Sequence, residues 1–249
     1  MTVDHVGNTR RLTLVAWKNQ RGASLIVSLL MLIAVLLLGV SAANIALLGE
    51  KAARSDRDRQ IALQAAEGAL MDAELDIDAS PDATGSRSAL FSMRSTTGFP
   101  AASEASCRHR DSIYFGLCRK SSDIRVPTWL ALDFLDTTPS AEAVPYGTFT
   151  GRTIQADEPE SSSRLPRYII ELIPFTSTIA GKDDVTSLYR ITAMGFGLRD
   201  TTQVMLQTFY RKAAAISPNE TVTASLPSGR LSWREVSNWQ ELRHAALSK

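Results

Sequence analysis

From Ala23 to Gly49 the chain carries no charged residue, and the run ASLIVSLLMLIAVLLLGVSAANIALLG is apolar almost throughout. Wound as an α-helix, its 27 residues reach about 40 Å at 1.5 Å each, more than the ~30 Å hydrocarbon core of a bilayer. A helix that is apolar on every side has no solvent face, so it belongs in lipid or among other apolar helices. Its flanks set a direction. Arg10, Arg11, Lys18 and Arg21 precede it with only Asp4 opposing them, which keeps the N-terminus cytoplasmic and sends everything after Gly49 across the membrane. Removing residues 1–22 takes away four positive charges and one negative, so the formal net charge falls from +1 to −2. A secretory signal peptide cut near Ser41-Ala42-Ala43 is the alternative, but the apolar stretch before that point is about twice the usual h-region of 7–15 residues.

The helical pattern does not end at the membrane. Residues 50–79 are rich in Ala, Leu, Arg, Gln and Glu, with no proline before Pro81, and predict one helix from about Ala23 to about Ile77. Leu63, Ala66, Leu70, Ala73 and Ile77 recur at spacings of three and four and draw a single apolar stripe. Asp58, Arg59, Glu67, Asp72 and Glu74 are read as lying mostly outside that stripe. The first half is therefore apolar all round, the second half is amphipathic, and a soluble domain packs on the second.

Beyond residue 80 the chain is loop-like and rich in Ser, Thr, Pro and Gly until three strand-like runs appear, Arg167–Phe175, Leu188–Phe196 and Thr201–Arg211. Tyr189, Ile191 and Ala193 alternate with Arg190, Thr192 and Met194, which predicts an antiparallel sheet with one buried face. Gly197 is placed in a hairpin turn, free to take positive φ, and the tail is expected to dock through Trp233 or Trp239. Together these elements predict an α+β fold: a long N-terminal helix laid on a C-terminal antiparallel sheet. Cys107 and Cys118 have ten residues between them in a region that would be exported to an oxidising compartment. A disulfide is the expected state, with two unpaired buried thiols as the alternative.

Neither catalysis nor metal binding is suggested. There is no phosphate loop, HExxH or GxSxG, and GFGLRD lacks the third glycine of a dinucleotide fingerprint. The three histidines, His5, His109 and His244, are scattered, and two cysteines with His109 do not complete a four-ligand set. Asp76, Asp78, Ser80 and Asp82 have the alternating spacing of a calcium loop, but Pro81 stands where glycine is needed. They are read as solvated carboxylates at a helix end. No cofactor is expected. A net charge of +1 with 21% charged residues argues against a nucleic-acid partner and against disorder.

Several stretches carry a family resemblance. QRGASLIVSLLMLIAVLLLG, RDRQIALQAAEGALMDAE, RVPTWLALDF, YGTFTG, PRYIIEL, YRITAMGFG, VMLQTFYRK and GRLSWREVSNWQ resemble those of type IV pilins, and more narrowly the PilX family of minor pilins. The resemblance runs over most of the chain and is weakest between Ser80 and Ser122. It implies residues 1–22 as a cytoplasmic leader, 23–49 as a membrane-spanning and later fibre-core helix half, 50–79 as its amphipathic continuation, and 80–249 as a periplasmic globular domain. It also implies cleavage after Gly22 by a prepilin peptidase and N-methylation of Ala23. The implied partners are other minor pilins, the major pilin, the inner-membrane assembly platform and a PilY-type tip adhesin. The implied role is initiation of pilus assembly in support of twitching motility and adhesion. A minor pseudopilin of a type II secretion system and a signal-anchored periplasmic enzyme or binding module are the alternatives.

Three departures from the wider pilin pattern stand out. Major pilins place a glutamate at the fifth mature position, where this chain has Val27, and Ala23 replaces the usual first phenylalanine. The common mid-helix proline is replaced by Asn44. Val27 is read in two ways: as the mark of a subunit with no neighbouring amine to neutralise, as expected of one that enters the fibre first, or as an apolar residue that is simply tolerated, with recruitment by helix packing alone.

Overall fold

A computed structural model describes residues 23–79, 85–91, 95–101, 107–110, 112–119, 126–154, 162–179, 182–212 and 227–248, with the side chains of 174–186 left aside. Gly22, Ser80, Pro81 and Asp82 lie outside the described residues. The chain divides into two compact units, Met1–Ala53 and Arg54–Lys249.

The first helix, α1, spans Ala23–Asp78 and runs unbroken through Gly39, Ser41 and Asn44. In the first unit every described residue is exposed, and α1 is long and apolar enough to cross a membrane. In the second unit α1 turns one face to a sheet. Ala62, Ala66, Ala69, Leu70, Ala73 and Ile77 are fully buried, while Met71 and Leu75 on the opposite side stay exposed.

The sheet is built from β3 (Arg167–Ile179), β4 (Lys182–Phe196) and β5 (Gln203–Arg211). They pair antiparallel with Ile170 opposite Ile191 and Ile191 opposite Thr208. Both long strands of the β3–β4 hairpin extend past the expected ends, meeting at Ile179 and Lys182. One pairing departs from the expected antiparallel pattern, because β1 (Leu117–Arg119) runs parallel to β3. The short strands β2 (Val144–Pro145), β6 (Gly229–Arg230) and β7 (Arg234–Glu235) complete the sheet, β2 along β3 and the other two along β5.

The sheet is buried on both faces, not one. Tyr168, Ile170, Leu172, Tyr189, Ile191 and Ala193 face α1 in one core. On the other side Ile169, Met194, Phe196 and Met205 form a second core with Trp129, Leu130, Phe134 and Trp239. That second layer comes from α2 (Thr128–Ala131) and α3 (Trp239–Leu247), two helices from stretches far apart in sequence. The tail docks through Trp239, which is buried, whereas Trp233 remains about half exposed and donates its indole N–H to Glu67.

Alanines on α1, with Gly195 on β4 and Gly197 just after it, bring the two layers into backbone contact. A Cβ on Gly195 would collide with the carbonyl oxygen of Ala62 and the amide nitrogen of Ala66. Gly197 lacks the positive φ expected of it; it is needed because a side chain there would meet the Asp58 carboxylate and backbone. Overpacking a contact between rigid backbones typically costs 1–3 kcal/mol. Gly195→Ala is therefore expected to lower the stability of the Arg54–Lys249 unit by about 2 kcal/mol in urea denaturation, and an unchanged midpoint would show that α1 does not lie this close to β4.

Candidate functional site

Three aspartates share the buried face of α1. Residues 58, 62, 66, 69, 73 and 76 repeat at spacings of four and three, so Asp58, Asp72 and Asp76 fall on or beside the alanine stripe. All three are buried, which corrects the reading of Asp58 and Asp72 as outside the stripe and of Asp76 as solvated. Each carboxylate is satisfied by a different loop, as a buried charge must be.

Asp58 accepts from the backbone N–H of Leu198 at 2.5 Å and from the Thr202 hydroxyl at 2.5 Å, both in the turn between β4 and β5. A longer bond from the Arg199 N–H measures 3.4 Å. Asp72 accepts from the Gly147 N–H at 2.7 Å and from the Thr150 hydroxyl. Asp76 holds the Arg87 guanidinium through Nε at 2.9 Å and Nη2 at 2.5 Å, and accepts from the Tyr168 hydroxyl at 3.1 Å. Arg87 is itself buried and also donates to the carbonyls of Ile113 at 3.0 Å and Phe115 at 2.6 Å. Its guanidinium lies 3.5 Å from the Phe149 ring centre. One ion pair thus ties α1 to the segment after it, to the loop before β1 and to β3.

The outer edges of α1 are gripped by the chain's end. Arg59 pairs with Glu235 at 2.6 Å, and Arg230 bridges Glu74 at 2.7 Å and Glu67 at 3.2 Å. These pairs are partly exposed and contribute little individually. The Tyr210 hydroxyl closes the helix end by donating to Asp78.

On the Asp58 and Asp72 carboxyls burial and hydrogen bonding act in opposite senses. For Asp58 burial raises the carboxyl, but the bonds from Thr202, Leu198 and Arg199 outweigh it and hold the group below its ordinary value. For Asp72 burial wins and the carboxyl is raised despite Thr150 and Gly147. Tyr168 is pushed well above the usual phenol range by burial and by Asp76 beside it.

The loop leading to β1 is closed by a disulfide between Cys107 and Cys118, both buried in the second core. Glu142 accepts from the Cys107 N–H at 3.1 Å, and Gly116 N–H donates to the Arg108 carbonyl at 3.0 Å. The loop is thus closed at its ends by sulfur and held within by Arg87, through the Ile113 and Phe115 carbonyls.

The residues singled out for assembly lie elsewhere. Ala23 is the first described residue of α1, and Val27 is 56% exposed on a helix half that presents Leu25 to Leu48 outward on every side. Gly49 ends the uncharged run without ending the helix.

A family model for the PilX N-terminal region matches residues 21–70, and one described as type IV pilus assembly protein PilX C-term matches residues 114–212. Together they cover more than half of the chain. The chain belongs to the PilX family of type IV pilus assembly proteins. That makes it a minor pilin, a structural component of the pilus. No curated protein and no solved structure gives a significant match. The PilX N-terminal match takes in the whole apolar half of α1 and Asp58, and the C-terminal match takes in β3, β4 and the turn that Asp58 binds. Asp72, Asp76, Arg87 and the docked tail fall outside both.

Asp58 gives a direct test of how α1 is fastened. A carboxyl held below its ordinary value stabilises the fold above the unfolded pKa of about 3.9, and that contribution is lost as pH falls through the depressed folded value. Asp58→Asn is expected to cost the Arg54–Lys249 unit about 2 kcal/mol at pH 7, with the gap to the parent narrowing below about pH 3.9. Denaturant titrations of both proteins at several pH values measure this, and a gap that stays constant would remove the assigned role.

Proposed function

We propose that this chain is an assembly-initiating minor pilin that begins as a single-pass inner-membrane protein and is then built into the pilus or its tip complex. In this reading the N-terminus is cytoplasmic and the Arg54–Lys249 unit periplasmic. Prepilin peptidase cuts after Gly22, and the new amine on Ala23 is methylated. The partners are other minor pilins, the major pilin, the inner-membrane platform and a PilY-type tip adhesin, and the resulting pili serve twitching motility and adhesion.

The supporting observation is the helix half from Ala23 to Gly49, uncharged and exposed on all sides, in a chain of the PilX family. Lipid tails and neighbouring apolar helices are nearly equivalent surroundings for such a surface, so the subunit can pass from membrane to fibre at modest cost. The leader charges at Arg10, Arg11, Lys18 and Arg21 would oppose entry into a fibre core, since an unpaired buried charge is expensive. Processing removes them. The PilX match favours the pilus over a secretion pseudopilus, which would use the same anchor.

Val27 refines the position. Where the wider pilin pattern has a carboxylate to meet a neighbour's amine, an apolar side chain has nothing to neutralise, which suits a subunit with no pilin beyond it. Deleting the gene is expected to reduce the number of surface pili, and restoring the natural chain to recover it. Restoring Val27→Glu is expected to give fewer pili or to move the subunit away from the tip in immunogold images. Unchanged piliation on deletion would overturn the initiating role; normal number and tip location with Val27→Glu would overturn the argument from Val27.

A further inference from the structure

Beside the Asp76–Arg87 pair, three loops enclose a groove of about 720 Å³, within the range of about 300–1,000 Å³ typical of ligand clefts. Ser86 comes from the segment after α1, Arg110 and Ser112 from the disulfide loop, and Thr148, Phe149 and Gly151 from the loop after β2.

Its walls are held from behind. Thr150 and Gly147 are fixed by Asp72, Phe149 rests on the Arg87 guanidinium, and the disulfide closes the loop that carries Arg110. A preformed groove pays little ordering cost when a ligand enters.

Among the described residues that line the groove, Arg110 is the one charged side chain. One Nη donates to the Thr137 carbonyl at 3.3 Å, and among the described residues no carboxylate forms an ion pair with it. The rest of its planar fork matches a carboxylate. Arg110 also lies near other cations. Arg167 is pushed down by its burial and then by Arg110 and Arg164, an effect that Asp136 and Asp133 offset in part. An anion beside Arg110 would relieve this repulsion. With one cation and no lysine among its described lining residues, the groove suits a single carboxylate better than a polyphosphate. Its remaining surface of hydroxyls, bare glycine backbone and the apolar Ile113 and Phe115 suits an extended main chain.

We propose that this groove is a docking site for an extended acidic peptide segment of a partner protein, with Arg110 anchoring a carboxylate side chain. The inference is independent of where the subunit sits in a fibre.

The test uses the full chain in nanodiscs of phosphatidylcholine and peptides with capped ends carrying an uncharged dye. Ala-Glu-Ala-Asp-Ala is compared with Ala-Gln-Ala-Asn-Ala and Ala-Lys-Ala-Lys-Ala by fluorescence anisotropy. The acidic peptide is expected to bind at least tenfold more tightly than its amide counterpart. Arg110→Glu is expected to abolish that preference and to favour the lysine peptide, while Lys51→Glu on α1 leaves the acidic preference intact. The reversal separates a lost anchor from a misfolded variant. Equal binding of acidic and amide peptides, no binding of the acidic peptide at millimolar concentration, or an acidic preference retained by Arg110→Glu would each overturn the proposal.

Discussion

Three buried carboxylates on one helix determine how the rest of the globular unit is arranged. Asp58, Asp72 and Asp76 sit on the α1 face that alanines keep thin, and each binds groups that another segment brings in. Asp58 takes the β4–β5 turn, Asp72 the loop after β2, and Asp76 both β3 and Arg87. The apolar contacts between α1 and the sheet supply most of the driving force but are non-directional. A carboxylate without its partners would carry the full cost of burial, so these sites select one register of the helix on the sheet. The account of buried ion pairs as devices of specificity more than of stability fits Asp76 and Arg87 well.

Much of this was legible in the sequence. The uncharged run and its basic leader foretold one long helix with two unlike halves, and α1 ends within a residue of the expected place. The three long strands were visible as apolar runs, β4 most clearly in the alternation of Tyr189, Ile191 and Ala193. What alternation missed was the second buried face. Met194 and Phe196 are as apolar as a core requires, but their cover comes from Trp129 and Trp239, in segments with no periodic pattern of their own. The aspartates were misread for a different reason. Charge alone suggested solvent, although their spacing from Ala62, Ala66 and Ala73 already placed them on the packed face. Gly197 was assigned to a turn on conformational grounds, while its actual constraint is the approach of Asp58, a contact between residues 139 apart in sequence. Arg87 had no sequence signal, because the stretch around it is loop-like and its partners lie on three other segments.

The two halves of α1 answer to different surroundings. From Arg54 onward the helix is fastened by its own domain through directional, buried bonds. Before that point its described residues are exposed, with leucine, isoleucine and valine on every side. Such a surface is stable only in lipid or among similar helices, and that is the physical content of membership in a pilus assembly family. Val27 and Ala23 belong to this second regime. There the side chains from Ala23 to Gly49 carry no charge, and such a surface can exchange one apolar environment for another at modest cost.

The most direct measurement is intact-mass and N-terminal peptide spectrometry of the chain recovered from sheared, purified pili. The account predicts a chain that begins at Ala23 with a methylated amine, having lost residues 1–22 and their four basic side chains. A full-length chain in the pili, one that begins after Ala43, or absence of the chain from pili while it persists in the membrane would contradict it.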